Sequence, residues 1–450
     1  MQMRCGEGAV RVKRVKTLRT RPTAGVVALF WCLLAGACAL SGIARGQTPG
    51  PPQAEELRRS WPSFRGPEGS GISAYRNIPT QWDGASGRGI LWKTRTPLPG
   101  ANSPIVWKDR VFLSGATGEG REVFCFDRAT GEIVWRKQVT GGSAPADRPI
   151  KVSKATGLAA PTMATDGGFV YAMFANGDVA GFDFSGSQIW VRSLGVPRNH
   201  YGQASSLATY DGRVIVQLDQ GKPDDERSKL LALDGATGET AWQVTRAVPS
   251  SWCSPIVVRP KGQHLIVTCS DPWVIAYSAQ SGAEIWRADC LAPAEIGPSP
   301  IYSGGVVFAA NDFAAVSAIR ADGAGDVSRT HIAWTADVGL PDVCSPLATD
   351  RFLLLLASYG GLTCFDKRRG GDPLWEEDFD EEFVSSPSLV GNRVYLFARN
   401  GKAWIVEPTT EKCKRIAEAD LGEECVTSPA FQDGRIYIRG KQHLFCIGNR

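Results

Sequence analysis

Cys125-Phe126-Asp127-Arg128-Ala129-Thr130-Gly131-Glu132-Ile133-Val134-Trp135 reads as a β-hairpin: an apolar strand end, an Asp-x-x-Thr-Gly turn, and a second strand running into Trp. The Asp carboxylate can accept backbone N–H groups inside the turn, and Gly supplies the positive φ of a short bulged loop. The stretch then returns. Ala232-Leu233-Asp234-Gly235-Ala236-Thr237-Gly238-Glu239-Thr240-Ala241-Trp242 keeps the spacing, and Ala276-Tyr277-Ser278 with Ser281, Gly282 and Trp286 is a third copy. Cys364-Phe365-Asp366 with Gly370, Gly371 and Trp375 is a stretched copy, and Gly181-Phe182-Asp183 with Ser185, Gly186 and Trp190 a shortened one. Such self-similarity means one supersecondary unit copied along the chain, and every other reading is subordinate to it.

A second marker, a small residue and Pro opening an apolar strand, recurs between these hairpins. It stands at Ser103-Pro104, Ala160-Pro161, Ser254-Pro255, Ser299-Pro300, Ser345-Pro346, Ser386-Pro387 and Ser428-Pro429, with Ser205-Ser206-Leu207 lacking the Pro. These eight starts lie 41 to 57 residues apart. Most are followed by a turn and another β-rich run, such as Asp211-Gly212-Arg213 before Val214-Ile215-Val216. Each unit is therefore four strands, and no segment of helical period and useful length appears after residue 60.

The last unit stops after its third strand, at Phe445-Cys446-Ile447, because the chain ends at Arg450. An orphan strand, Ile90-Leu91-Trp92-Lys93-Thr94, precedes the first Ser-Pro. The arithmetic predicts an all-β fold: an eight-bladed β-propeller of four-stranded antiparallel blades. The N-terminal strand completes the C-terminal blade, which closes the ring and removes two sheet edges. Structural docking is assigned to Trp92, Trp135, Trp190, Trp242, Trp286, Trp334 and Trp375, each expected to pack from an outer strand onto the next blade. At about 150–250 Å² per ring and about 25 cal/mol/Å², each contributes several kcal/mol. The unit around Lys414-Arg415-Ile416 has lost its Trp. Cys125, Cys364 and Cys446 stand where Ala232 and Ala276 stand, as small buried residues leaving room for the indole.

The repeat Ala/Cys-x-Asp-x-x-Thr-Gly-x-x-x-Trp, quoted above at Cys125–Trp135 and Ala232–Trp242, resembles the tryptophan-docking repeat of the pyrroloquinoline-quinone-like propellers. That family holds quinoprotein dehydrogenases and the non-catalytic outer-membrane assembly lipoprotein BamB, and the resemblance covers roughly residues 88–450. Trp61-Pro62-Ser63-Phe64-Arg65-Gly66-Pro67, with Gly69, Gly71 and Trp82, is similar to the opening segment of exported propellers of this superfamily. It is expected to be irregular and packed on the body. The enzymes of the family carry a disulfide between adjacent cysteines and a calcium held by Glu, Asn and Asp. This chain has no Cys-Cys pair, and those ligands do not map onto it. The resemblance therefore implies the BamB-like, non-catalytic branch, with no catalytic, cofactor-binding or metal-binding residue assigned. A quinone-dependent dehydrogenase is the alternative, with Trp252 its candidate stacking residue.

Composition narrows the rest. A formal charge of +4, with Lys and Arg scattered beyond position 21, offers no nucleic-acid footprint. The four histidines, His200, His264, His331 and His443, have no metal-ligand spacing. No phosphate loop, G-x-S-x-G or H-E-x-x-H occurs. Seven basic residues, Arg4 to Arg21, precede the apolar run Ala24 to Leu40: an export leader over 1–44. Residues 45–60 read as a flexible linker and 61–450 as the propeller. Cys38 follows Ala35-Gly36-Ala37, a defective lipobox, so membrane association is expected only through the leader or a lipid on Cys38. Twelve cysteines less Cys5, Cys32 and Cys38 leave nine, an odd number that excludes a complete disulfide framework. Cys413–Cys425 and Cys269–Cys290 stay open as bridges in an oxidising compartment.

Residues just before each Ser-Pro should converge at one mouth of the channel. Reading round the ring gives His200, Tyr201, Trp252, Glu295, Asp342, Asp380, Glu381, Glu382, Glu423 and Glu424: an acidic arc with aromatic residues opposite. The expectation is a monomeric periplasmic or envelope scaffold that holds a protein partner there, with a saccharide on the aromatics as a further alternative. N-terminal analysis of the exported protein by mass spectrometry is expected to find cleavage near Ala44 or Gly46; a chain beginning at acylated Cys38 would show a lipid anchor instead.

Overall fold

The Asp-x-x-Thr-Gly turn is built as its residues demand. Asp127 Oδ1 accepts the backbone N–H groups of Ala129 and Thr130, each at 2.9 Å, and the Thr130 hydroxyl at 3.2 Å. Asp234 holds its own turn in the same way. These bonds, the Thr130 amide foremost, keep the Asp127 carboxyl below its ordinary range. Gly131 and Gly238 take φ +75° and +73°.

The computed structural model describes residues 54–142 and 149–449. The leader, Cys38 and the start of the linker lie outside them. Eight antiparallel sheets follow one another around a ring, seven of them with their strands in sequence order from the inner to the outer edge. We number them blade 1 (105–138), blade 2 (164–193), blade 3 (208–246), blade 4 (256–289), blade 5 (301–336), blade 6 (347–378), blade 7 (388–420) and blade 8 (430–448). Blade 8 takes its outer strand from the other end of the chain: Ile90–Arg95 pairs with His443–Gly448, with Trp92 opposite Cys446. Two blades gain a fifth strand. Ile72–Ser73 runs parallel to Ser388–Val390 of blade 7, and Gly325–Asp326, in the long turn of blade 5, runs parallel to Glu284–Asp289 of blade 4. From Ala54 the expected linker is a short helix, Ala54–Arg59, whose last carbonyl accepts from Tyr75 Oη and Gln432 Nε2.

The tryptophans dock across blades. In register, each faces a small residue of its own blade: Trp135 faces Cys125, Trp190 Gly181, Trp242 Ala232 and Trp375 Cys364. For Trp92, Trp135, Trp190, Trp242 and Trp334 the ring then lies over the turn glycine of the next blade. A Cβ on Gly238 would come within 2.6 Å of the Trp190 ring. Six of the seven indoles also donate to a carbonyl of that turn region, as Trp190 Nε1 does to Gly235 O at 2.8 Å. Trp242 Nε1 is the exception, buried without a partner among the described residues. The glycine thus serves twice, for its φ and for the flat surface that it leaves.

Blade 7 lacks a docking Trp for a reason that the ring closure supplies. Ala417 stands at the Trp position, opposite Ile405. The blade that it faces has no turn between its third and outer strands, since those strands come from opposite ends of the chain. Residues 77–89 fill the interface instead. Trp82, 1% exposed, stacks on Phe397 of blade 7 at 5.7 Å, and Gly89 O accepts from Gly448 of blade 8.

All nine described cysteines are free thiols, so neither open bridge is formed. Cys413 and Cys425 flank opposite ends of the outer strand Cys413–Asp420, about 25 Å apart along it. Burial pushes the Cys125, Cys364 and Cys446 thiols up to about 12, as fits small apolar residues.

At the inner edge the eight strand starts are joined in a closed circle. Ser103 N–H donates to Thr162 Oγ1, Thr162 to Ser206 Oγ, Ser206 to Ser254 and Ser254 to Ser299. The circle continues through Ser345, Ser386 and Ser428, and Ser428 donates back to Ser103 Oγ. All eight distances lie between 2.8 and 3.0 Å. In blade 2 the hydroxyl is that of Thr162, so the strand start lies two residues beyond Ala160-Pro161. What the position requires is an acceptor; the following Pro is dispensable, as Met163 and Leu207 show.

Gly238→Ala is expected to lower stability by about 2–4 kcal/mol in urea unfolding, from positive-φ strain plus the push against Trp190. Gly212→Ala, at φ +69° with no atom within 4 Å of the added Cβ, should lose only the backbone part, about 1–2 kcal/mol.

Candidate functional site

Because inner strands all run the same way, the loops before them share one face of the ring, together with the turns joining second and third strands. Three predicted residues meet there across blades 3 and 4. His200, Tyr201 and Trp252 form an aromatic triangle, with ring centroids 4.1 Å apart for His200–Tyr201, 5.1 Å for His200–Trp252 and 4.9 Å for Tyr201–Trp252. Glu295, from the loop entering blade 5, closes the group: its Oε1 lies 3.1 Å from His200 Nε2, and its carboxylate acts on the neighbouring Tyr201 hydroxyl. Interaction with that carboxylate raises the Tyr201 pKa. Trp252 N–H, donating to Ile296 O at 2.9 Å, ties the two loops together.

Asp342 lies farther round, in the loop entering blade 6, and accepts from Ser358 N–H at 3.0 Å and Ser358 Oγ at 2.6 Å. Asp312 stands beside it, its backbone N–H bonded to Pro341 O. Burial first, then the charge of Asp342, raises the Asp312 pKa. No Lys or Arg lies within 4 Å of Glu295, Asp312 or Asp342 among the described residues.

The rest of the predicted acidic arc is differently placed. Glu381 binds Lys402 Nζ at 2.8 Å and Asn400 Nδ2 at 2.6 Å, Glu382 binds Arg399 at 3.0 Å, and Glu424 binds Lys441 at 2.7 Å. Glu423 accepts from the backbone of Gln442 and His443, and its other oxygen lies 2.6 Å from His443 Nδ1. Asp380 is exposed at φ +52°, in a bend held by Asp378. Blades 7 and 8 therefore present a girdle of alternating sign, and the uncompensated acids gather on blades 5 and 6.

Sequence reasoning missed the apolar part of this surface. Phe313 is 85% exposed and Tyr359 70%, each in a turn between second and third strands, and Val343 is half-exposed beside Asp342. These turns do not precede a Ser-Pro. Counting two further strand reversals would have put them at the same mouth. The result is one patch over blades 3 to 6: Tyr201, Trp252, Phe313, Val343 and Tyr359 with three carboxylates that face no Lys or Arg among the described residues.

Among the described residues no group of three or more His, Cys, Asp or Glu side chains could hold a metal ion.

The family model described as outer membrane protein assembly factor BamB matches residues 74–222 and 226–342. The chain belongs to the BamB family. BamB of Bordetella pertussis is 26% identical over 276 residues, which cover 55% of this chain and 64% of that protein, just under two thirds of its length. The crystal structure of BamB from Moraxella catarrhalis superposes with TM-score 0.57 at 15% identity, covering 80% of this chain and 99% of that one. A quinohemoprotein alcohol dehydrogenase from Pseudomonas putida gives TM-score 0.64 at 11% identity, over 89% and 82%. At such identities both likenesses are of fold alone.

Glu295→Gln should lower the alkaline ionisation midpoint of Tyr201, since it removes the negative charge that opposes loss of the phenolic proton. Spectrophotometric titration against Tyr201→Phe would isolate that tyrosine.

Proposed function

We propose that this chain works outside the cytoplasm as a monomeric, non-catalytic scaffold for assembly of outer-membrane proteins, holding a protein partner on the patch over blades 3 to 6. Three features support the reading: family membership, the leader expected from the sequence over residues 1–44, and the patch itself. The patch carries it. Exposed Phe and Tyr rings at loop tips cost solvation unless something covers them, and aromatic anchors ringed by polar groups are the usual make-up of binding hot spots. Three carboxylates that face no Lys or Arg among the described residues favour a partner surface rich in those cations and steer its approach. The paired girdle of blades 7 and 8, with Asp380, Glu381 and Glu382, forms the polar rim.

Deleting the gene should lower the amount of folded β-barrel protein in the outer membrane, and the wild-type chain should restore it. Tyr201→Ala with Trp252→Ala, or Phe313→Ser with Tyr359→Ser, should restore it at least tenfold less well although the variants remain folded. Charge reversal at Asp380, Glu381 and Glu382 should have a smaller effect. Full rescue by the aromatic variants would remove the reading, and selective retention on a glycan array would replace the protein partner with a saccharide.

A further inference from the structure

Residues 61–73 cross the opposite face of the ring, where the inner strands end. Trp61 exchanges both backbone hydrogen bonds with Val106 of blade 1, Pro62 O accepts from Thr165 of blade 2, and Gly71 O accepts from Leu389 of blade 7. From this strap Arg65 turns into the protein and is 1% exposed. Its Nη2 donates to Pro387 O at 3.2 Å, the residue after the ring hydroxyl of Ser386. Cys344, the residue before the ring hydroxyl of Ser345, is the titratable group that most acts on it. The guanidinium therefore faces the inner strands of blades 6 and 7 at the level of the hydroxyl circle.

Neither Nε nor Nη1 of Arg65 has a protein acceptor, and no carboxylate lies within 4 Å of it among the described residues. Burial lowers its pKa to about 9, so it remains cationic at neutral pH. The same protein treats another buried arginine quite differently. Arg246, also buried, is gripped by both oxygens of Asp219 and by Thr268 and Tyr277. A buried charge without a partner is among the costliest arrangements in a protein. Donors, meanwhile, are abundant nearby. Each of the eight ring hydroxyls accepts one N–H and keeps its own proton, for which the described residues provide no acceptor.

We propose that the channel axis beside Arg65 is a binding site for a small monovalent anion of the halide type, held by the guanidinium and by ring hydroxyls of blades 6 and 7. A halide suits the donors better than a carboxylate. The guanidinium donors left without a protein acceptor are supplemented by hydroxyls spread around an axis, a set that surrounds a spherical anion. Enclosure under the strap favours a single atom. The anion would neutralise Arg65 and so fasten the strap to the ring.

Crystals of the full propeller soaked in sodium bromide test this directly. An anomalous peak is expected within about 3.5 Å of the Arg65 guanidinium. In solution the wild-type melting temperature should rise by a few degrees on replacing gluconate with bromide at constant ionic strength, and Arg65→Gln should lose that difference. Solvent density without anomalous signal at Arg65, or an equal bromide response in wild type and Arg65→Gln, would overturn the site. Should Arg65→Gln fail to fold, the wild-type anomalous map decides alone.

Discussion

A circle of eight hydrogen bonds, backbone N–H of one blade to hydroxyl of the next, fixes the geometry on which everything else in this molecule rests. Each bond is modest, about 1 kcal/mol net. The circle has no end, so removing any hydroxyl strands a buried N–H at about 1–3 kcal/mol and loosens two neighbours at once. Because donor and acceptor come from the same residue type, the inner strands stand at one spacing and one height. The loops that precede them are consequently held as a set, which is how side chains from four separate blades come to form a single surface.

The outer edge is governed by a second relation, in which each indole docks on the turn between the third and outer strands of the neighbouring blade, five of the seven over a glycine. The one blade without such a tryptophan is the one whose neighbour has no such turn, and Trp82 from the N-terminal segment occupies that interface. Arg439 reinforces the same junction on the inner side. Its Nη1 donates to Asn102 Oδ1 and Ser114 O, and its Nη2 to Leu98 O, three acceptors belonging to the start of blade 1 and the strand before it. The departures from the repeat are thus concentrated where the two ends of the chain meet.

Much of this was legible in the chain because it repeats. Spacing gave the blade count, the orphan strand at Trp92 and the role of the tryptophans, since each of these is a periodic constraint. The hydroxyl circle was half visible: Ser-Pro marked strand starts, but the function of the Ser, and its replacement by Thr162, belongs to contacts between units rather than within them. The candidate surface was legible only where it touches the marker. Tyr201, Trp252 and Glu295 were found that way. Phe313 and Tyr359 were not, because their turns vary in every repeat. Nor could a string of acidic letters reveal that Glu381, Glu382 and Glu424 each face a base from the adjoining turn.

Pairing of Ile90–Arg95 with His443–Gly448 joins segments some 350 positions apart. While the chain emerges from its N-terminus, that first strand has nothing to pair with until the last few residues arrive, and it must wait as a bare, partly apolar edge. Sealing is therefore a late, all-or-none event with a large loop-closure cost. Loss of the strand His443–Gly448 would leave a finished row of seven blades unable to shut.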